Sequence, residues 1–425
     1  MNQRTAQGVA AGLRIQNIRQ PQMNLFSQIN FSWLELYAAA CVAGWSVMLY
    51  HVWAMTRENV PLSHIALLPL GQASPRVTVI VPACNESGKI EAALRSLCAQ
   101  TYTNLRIIAI NDRSTDATPE ILNRLALEFP NRLRVIHISS LPEEWLGKNH
   151  ANQTGYESIE TPIDNGGYIL FTDADVMFGK NVIAQTVAYA VQHKVGHIVA
   201  YPNLLSENIF EESFLAIFSL LFTWKFNPRA ARDPNNTSAY IGVGAFNFIA
   251  QELYERIGTH QSLKNEVADD VMLGYRVKQQ REATHVLNSE SAVSVRWREG
   301  LWDSVRGIIR SAFPGVNFSW LWVGIGVIGT FGGLLAPYGL WLYGWIGGSL
   351  FVAVCGAASV LLVLCCYSVL GKKFPRVLAT TLLHPVMSVL FLYAMVRSAV
   401  QITVQGGVVW RGTFYSIEVL RRKPA

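Results

Sequence analysis

The stretch Val77-Thr78-Val79-Ile80-Val81-Pro82-Ala83-Cys84-Asn85-Glu86 opens with five β-branched residues and then breaks into a loop. β-branched side chains pack well on a pleated surface, and a short apolar run closed by turn signals reads as a buried strand. A helical pattern follows to about Ala99, and the alternation then repeats. Leu105–Ile110 reads as a strand and Pro119–Glu128 as a helix; Leu133–Ile138 is a strand, Asn149–Ile159 a helix and Tyr168–Thr172 a fourth strand. This order predicts βαβ units, an α/β class and a mostly parallel sheet covered on both faces. Ligands of such sheets bind at the carboxyl ends of the strands, so the loops there hold the candidate chemistry.

The flanks of this segment are of another kind. Of 425 residues, 51% are hydrophobic and only 15% charged, against about 25% charged in ordinary soluble chains. The run from 311 to 370 contains no Asp, Glu, Lys or Arg. A bilayer crossing takes about 20 apolar residues, so the run holds two, with a bend expected near Ala336–Gly339. Val377–Val396 makes a third crossing and Leu36–Met55 a fourth, with Trp53, Trp320 and Tyr338 where an interfacial belt would place them. A wholly soluble protein and a disordered one are both excluded. The first apolar run begins after some thirty mostly polar residues and lacks a small-x-small cleavage site, so it reads as a retained anchor.

The resulting division is an N-terminal segment 1–30, an anchor 31–56, an α/β domain 77–300, about three helices within 311–403 and a basic tail 404–425. Phe214–Trp224 is apolar but too short to span; a helix on the bilayer surface and a core helix both fit it. The net charge of +6 matches an anionic membrane surface better than nucleic acid, because basic residues flank the apolar runs. The six cysteines show neither a zinc spacing nor a disulfide framework.

Asp173-Ala174-Asp175 ends a predicted strand and places two carboxylates on one turn. Like charges this close need a positive partner, and Mg²⁺ or Mn²⁺ takes one or two carboxylates together with phosphate oxygens. Asn111-Asp112-x-Ser114-x-Asp116 also follows a strand and precedes a helix. Its carboxylates suit the donors of a base or ribose, and Ser114, Thr115 or Asp116 also suit a helix cap.

Together with Pro82-Ala83-x-Asn85-Glu86, Val243-Gly244-Ala245-Phe246-Asn247 and Ala268-Asp269-Asp270-Val271-Met272-Leu273-Gly274-Tyr275-Arg276, these motifs resemble the family 2 glycosyltransferases. That resemblance implies a GT-A fold, the Rossmann-like mixed sheet of nucleotide-diphospho-sugar transferases, inserted here between transmembrane helices. It implies that Asp112 binds the uracil or ribose of a nucleotide sugar, UDP-linked, with Pro82, Asn85, Glu86 and Asn111 nearby. Asp175 and Asp173 would hold the Mg²⁺ or Mn²⁺ that bridges the diphosphate, and Lys148 would steady the leaving group. Asp270 falls at the general-base position, with Asp269 beside it. Trp145-Leu146-Gly147-Lys148 and the tail Val409–Tyr415 are similar to the membrane-bound enzymes that glycosylate carotenoid or hopanoid-type lipids.

Processive polysaccharide synthases of the family carry Gln-x-x-Arg-Trp. Here Arg296-Trp297 is preceded by Val293, which argues against chain elongation and leaves Arg296 for phosphate and Trp297 for the acceptor. The implied protein is a multi-pass membrane enzyme of a bacterial inner membrane with its catalytic domain in the cytoplasm, acting on a lipid hydroxyl or carboxyl. Arg296, Arg298, Arg306, Arg310, Lys372, Lys373 and Arg376 agree with that side. One crossing before the domain and three after it would put both basic ends outside. Arg4, Arg14, Arg19, Arg421, Arg422 and Lys423 oppose this, so the first or last run is not a simple span, and His384-Pro385 marks a candidate break.

Overall fold

A computed structural model describes residues 32–68, 74–159, 167–371, 376–410 and 413–421. The charges at positions 4, 14, 19, 372, 373, 422 and 423 lie outside the described residues, as does the segment 1–30.

The strands are β1 (Val60–Pro61), β2 (Val77–Ala83), β3 (Leu105–Asp112), β4 (Leu133–Ile138), β5 (Tyr168–Phe171), β6 (Val176–Phe178), β7 (His197–Tyr201), β8 (Asn203–Leu204), β9 (Asn247–Ala250), β10 (Thr284–Asn288) and β11 (Val293–Val295). Eight form one sheet in the order β1-β10-β7-β9-β5-β2-β3-β4. Its pairs are parallel except that β9 runs antiparallel to both β5 and β7. β6, β11 and β8 make a small second sheet. Every residue of β2 is buried, as its unbroken β-branched run requires of a central strand covered on both faces.

Around the sheet lie helices α1 (Trp33–Glu58), α2 (Ile90–Cys98), α3 (Thr118–Glu128), α4 (Gly147–Glu157), α5 (Val182–His193), α6 (Ile209–Lys225), α7 (Pro228–Arg232), α8 (Gln251–Arg256), α9 (Asp269–Gln279) and α10 (Leu301–Gly315). One face of the sheet packs Val79, Val81, Ile107 and Leu170 under Leu94, Leu122 and Val187 of α2, α3 and α5. The other face packs Ile80, Ile108 and Ile110 against Ala151, Leu253 and Val277 of α4, α8 and α9. Burying each such aliphatic side chain contributes roughly 1.5–3 kcal/mol.

Among the described residues four helices are long and apolar enough to cross a membrane: α1, the helix Trp320–Ile346, α13 (Leu350–Val369) and α14 (Val377–Gln405). The second is built of α11 (Trp320–Thr330), a π turn and α12 (Ala336–Ile346). The charge-free run therefore does hold two helices, but they divide at Gly347-Gly348-Ser349 and not at Ala336–Gly339. Pro337 follows directly on the π turn, and the helix runs on through it to Ile346 instead of dividing there. The π turn frees the carbonyls of Gly332 and Gly333, which accept from the Tyr37 hydroxyl at 2.7 Å and Trp45 Nε1 at 3.0 Å.

The break expected at His384-Pro385 is also absent, and α14 runs through it. Pro385 cannot donate to the carbonyl of Thr381, and the Tyr338 hydroxyl donates to it instead at 2.8 Å. Tyr338 is thus a partner inside the bundle and not an interfacial anchor, whereas Trp53 and Trp320 remain 42% and 49% exposed.

The apolar run 214–224 falls in α6, whose Phe214, Leu215, Ala216, Ile217 and Leu220 are buried against Val52 and Met55 of α1, Tyr367 of α13 and Phe391 of α14. It is a core helix, and its core is the seam between the α/β domain and the apolar helices. The outer residues Leu321, Ile328, Ile346 and Leu350 are more than 70% exposed, an apolar surface that water would not tolerate.

Both ends of α14 meet the α/β region. Near its start the Arg376 N–H donates to Glu212 of α6, and near its end Ser398 accepts from the Phe313 N–H of α10. The strands β12 (Gly407–Trp410) and β13 (Thr413–Ser416) then form a hairpin, followed by α15 (Ile417–Arg421).

Candidate active site

The loops after β2 and β3 are fastened to each other. Asn85, in the left-handed region at φ 58°, accepts the Thr115 N–H at 2.8 Å, and its own N–H donates to Ser114 Oγ at 3.0 Å. The Glu86 N–H donates to Thr118 Oγ1 at 2.9 Å. Asp116 accepts the N–H groups of Ser87 and Thr118, both at 3.0 Å. Burial opposes ionisation of Asp116, but these donors overcome it and hold the carboxyl well below the usual range. Asn111 Nδ2 meets His137 Nδ1 at 3.1 Å, and Asn111 Oδ1 accepts the Ser114 N–H. The side chains of Asn85 and Asn111, with buried Pro82, therefore build the loops, and Asp112 and Glu86 are the groups these loops present.

Asp112 is buried and takes a two-pronged contact from Arg113, Nε at 2.7 Å and Nη2 at 3.1 Å. The first residue of α4, Gly147, lies so close that any side chain there would strike the Asp112 carboxylate. The next residue, Lys148, reaches Asp173 Oδ1 at 2.8 Å and Asp269 Oδ1 at 3.4 Å. Burial disfavours its charge, yet Asp173, Asp269 and Asp270 override this and hold the ammonium well above the ordinary lysine range.

Asp173 and Asp175 stand on the turn between β5 and β6. Burial first, then the Asp173 and Glu86 carboxylates, push Asp175 up to about 6. Lys89 lies between Asp175 at 3.9 Å and Glu299 at 3.3 Å. Asp269 and Asp270 open α9, whose first turn is anchored by Asn247 Nδ2 donating to the Asp270 carbonyl at 3.1 Å. The pair is split by its surroundings. Asp269 is buried, which works against its charge, but Lys148 and the His260 imidazole 3.7 Å away hold it below the usual range. Burial and the Asp269 charge push Asp270 up to about 6. Gly244 lies at the meeting point: a β-carbon built on it stands 2.9 Å from Asp173 Oδ2, 3.2 Å from Asp270 Oδ2 and 3.5 Å from Lys148 Nζ.

These groups line a cavity of about 610 Å³. Its lining is mixed: Glu86, Lys148, Asp173, Asp175, Asp269 and Asp270 are joined by Met55, Phe218, Phe222 and Leu370, of which Met55, Phe218 and Leu370 belong to the cluster at the seam with the long helices. Val408, Tyr415 and Leu420, from the hairpin and α15, close one side. Tyr415 is nearly buried among Leu146, Phe313, Phe318 and Ile402, and its hydroxyl lies against the N–H of Gly147 and the Asp112–Arg113 pair.

Most of the expected site residues are thus gathered in one place. Asp173, Asp175, Lys148, Glu86, Asp269, Asp270 and Trp297 all line the cavity, and Asp112 sits beside it at Gly147. Trp297 stacks on Phe218 with ring centroids 4.9 Å apart, which makes it part of the apolar wall. Arg296 is placed elsewhere: it pairs with Glu207 and does not line the cavity, whereas the three residues after it, Trp297, Arg298 and Glu299, all do. The sequence reading missed Lys89, Arg298, Glu299, His260 and Tyr415. Lys89, three residues after Glu86, carried a signal in its spacing. His260 carried none, since a lone histidine does not reveal that it will face Asp269.

Among the described residues no three His, Cys, Asp or Glu side chains form a ready metal cage. The donor chemistry nevertheless fits a hard divalent cation: Asp173, Asp175 and Glu86 crowd their charges, and Mg²⁺ or Mn²⁺ completes its shell with phosphate oxygens and water instead of protein groups.

Residues 78–258 match the family described as glycosyl transferase family 2. The chain is 25% identical over 357 residues to 4,4'-diaponeurosporenoate glycosyltransferase of Staphylococcus aureus strain bovine RF122 / ET3-1, covering 80% of this chain and 88% of the relative. The same enzyme of strain USA300 is 26% identical over 355 residues, with the same coverage. In fold, the chain is similar to a mannosyltransferase from Pyrobaculum calidifontis solved with GDP-Man and Mn²⁺, at a TM-score of 0.52 and 18% identity over 86% of this chain and 98% of that one. The sheet is that of the GT-A fold.

Proposed function

Starting from the family 2 glycosyltransferase domain that this chain carries, we propose that it moves one sugar from a nucleotide diphosphate donor to a lipid acceptor, inverting the anomeric centre. The observation that carries this reading is the mixed lining of one cavity, which brings together carboxylates with Lys148 and the apolar side chains of Met55, Phe218, Phe222 and Leu370. A nucleotide sugar needs the first set. A molecule dissolved in a bilayer needs the second, because its reacting group must reach the sugar while its chain stays among apolar helices.

The base and ribose lie at the fastened loops after β2 and β3, with Asp112 as acceptor for their donors. The diphosphate lies at the start of α4, where Lys148 and the helix N-terminus favour an anion. Asp173 and Asp175 would hold the Mg²⁺ or Mn²⁺, which when bound neutralises the diphosphate charge. Asp270, whose raised pKa suits proton acceptance near neutrality, takes the proton from the acceptor. Asp269 stays ionised and keeps Lys148 in position. Attack on the face opposite the diphosphate inverts the configuration.

The chain is read as a multi-pass membrane protein of a bacterial inner membrane with its catalytic domain facing the cytoplasm, where nucleotide sugars are made. α14 is read as a helix that begins and ends on the catalytic side. Its contacts with α6 and α10 and the seat of Tyr415 on Gly147 support this, and so does Arg421, whose charge belongs inside. Incubating the purified protein with labelled nucleotide sugars and a lipid extract tests the reading: labelled lipid is expected, and donor hydrolysis with no labelled lipid refutes it.

A further inference from the structure

Resting on the donor-binding part of the reading above, we propose that His260 is a positioning residue for the nucleotide diphosphate: from behind the cavity wall it holds Asp269, and through Asp269 it sets where Lys148 stands. His260 opens a short 3₁₀ turn, His260–Leu263, is 1% exposed and is not among the residues that line the cavity of about 610 Å³. Its effect on the donor must therefore pass through other side chains. The ring packs against Phe171 at the end of β5, with centroids 4.6 Å apart.

Tyr254 of α8 fixes which ring nitrogen carries the proton. Its hydroxyl oxygen accepts the His260 N–H at 2.9 Å, and among the described residues the acceptor within reach of its own proton is His260 Nδ1 at 2.7 Å. A buried hydroxyl proton needs an acceptor, and a neutral imidazole that accepts at Nδ1 carries its proton on Nε2. Nε2 faces Asp269 Oδ2 at 3.7 Å. Asn152 Nδ2, 3.2 Å from Nε2, approaches the same carboxylate oxygen at 3.4 Å. Burial keeps the imidazole below the usual histidine range against the pull of Asp269, so the ring serves as a neutral donor and not as a second cation. Two donors from a buried wall thus fix the carboxylate that Lys148 meets at 3.4 Å.

Lys148 also reaches Asp173, at 2.8 Å, but the two carboxylates differ in their surroundings. The Asp173 side chain is 42% exposed and that of Asp269 only 8%. Water screens the first charge far more than the second, so Asp269 is the steadier anchor. The segment that begins at His260 also grips the chain on both sides of Lys148. The Lys264 carbonyl accepts the Leu146 N–H at 2.9 Å, and the Leu263 and Glu266 carbonyls accept from Asn149 Nδ2 at 2.5 and 2.9 Å. One loop therefore sets both the backbone of Lys148 and, by way of His260 and Asp269, its ammonium. Support of this kind is what holds a binding group to within about 0.5 Å.

The test titrates UDP and GDP, each with Mn²⁺, into the full-length protein in detergent and reads the dissociation constant by calorimetry. His260→Gln keeps an amide nitrogen where Nε2 stood, whereas the shorter His260→Asn leaves Asp269 unreached; both are polar, so they load the fold alike. His260→Asn is expected to weaken nucleotide binding about tenfold, as loss of a donor to a charged group does, and His260→Gln by less than about threefold. In a Lys148→Ala background His260→Asn should add less than about twofold, because the route through Lys148 is gone. Should His260→Asn not fold, Tyr254→Phe keeps the imidazole, frees its tautomer and should weaken binding about threefold in the native background alone. Equal losses in the Asn and Gln variants, native-like binding by His260→Asn, or an undiminished loss in the Lys148→Ala background would overturn the inference and leave donor binding standing. A native protein that takes up neither nucleotide would remove the donor reading and the inference with it.

Discussion

Replacing Gly244 by Ala tests whether Asp173, Asp270 and Lys148 surround the reacting atoms. The backbone at 244 lies outside the left-handed region, so alanine brings no conformational strain of its own. Its methyl would stand 2.9 Å from Asp173 Oδ2 and 3.2 Å from Asp270 Oδ2. Close carbon–oxygen contacts settle at about 3.3–3.6 Å, so Asp173 must retreat by about half an ångström and Asp270 by somewhat less. Catalytic groups tolerate about 0.5 Å of displacement, and a misplacement of about 1 Å costs about 100-fold. Two smaller shifts together therefore cost about 10- to 100-fold in kcat, or roughly 1.4–2.7 kcal/mol. The assay is steady-state transfer of labelled sugar to extracted lipid, with thermal unfolding measured in parallel. A variant that melts within a few degrees of the native protein and keeps kcat within twofold would refute the claim that these groups meet around the sugar.

Three further outcomes follow from the geometry. Only ionised Asp270 accepts a proton, so with its pKa near 6 the rate should be flat above about pH 7 and fall as pH drops through 6; Asp269→Asn should move that limb to lower pH by removing a neighbouring charge, as a pH–rate profile would read. Chelation should abolish transfer, Mn²⁺ or Mg²⁺ should restore it, and Asp175→Asn should raise the metal concentration for half activity at least about tenfold in a metal titration. Tyr338→Phe leaves the Thr381 carbonyl without a donor and should cost about 1–3 kcal/mol of stability, while Pro385→Ala in the same chain restores an N–H and most of the loss, as a double-mutant cycle in detergent would report.

The sheet was legible because its strands advertise themselves: Val77 to Val81 alternates nothing and tolerates only a doubly covered position. The acidic turn 173–175 and the pair 269–270 were legible because strand ends and helix starts put them on one rim. What escaped depends on distance in space. The division at Gly347–Ser349 escaped because Pro337 reads as a breaker unless the π turn just before it is known. The unbroken α14 escaped because the donor replacing the lost N–H at Pro385 comes from Tyr338, 43 residues away from Thr381. The role of Tyr415 escaped because nothing local says that the last strand returns to Gly147. Arg296 was assigned to the site by its motif, and the pairing with Glu207 shows that adjacency to Trp297 does not fix direction.

The hairpin that brings Tyr415 onto Gly147 follows α14 in the chain, and its Val408 and Tyr415 line the same cavity as the acidic groups. Those acidic groups and the whole α/β sheet precede the long apolar helices, so this part of the wall comes from a segment that only the seating of α14 carries back. A disturbance of α14 would therefore reach Gly147 and Lys148 without altering any acidic residue.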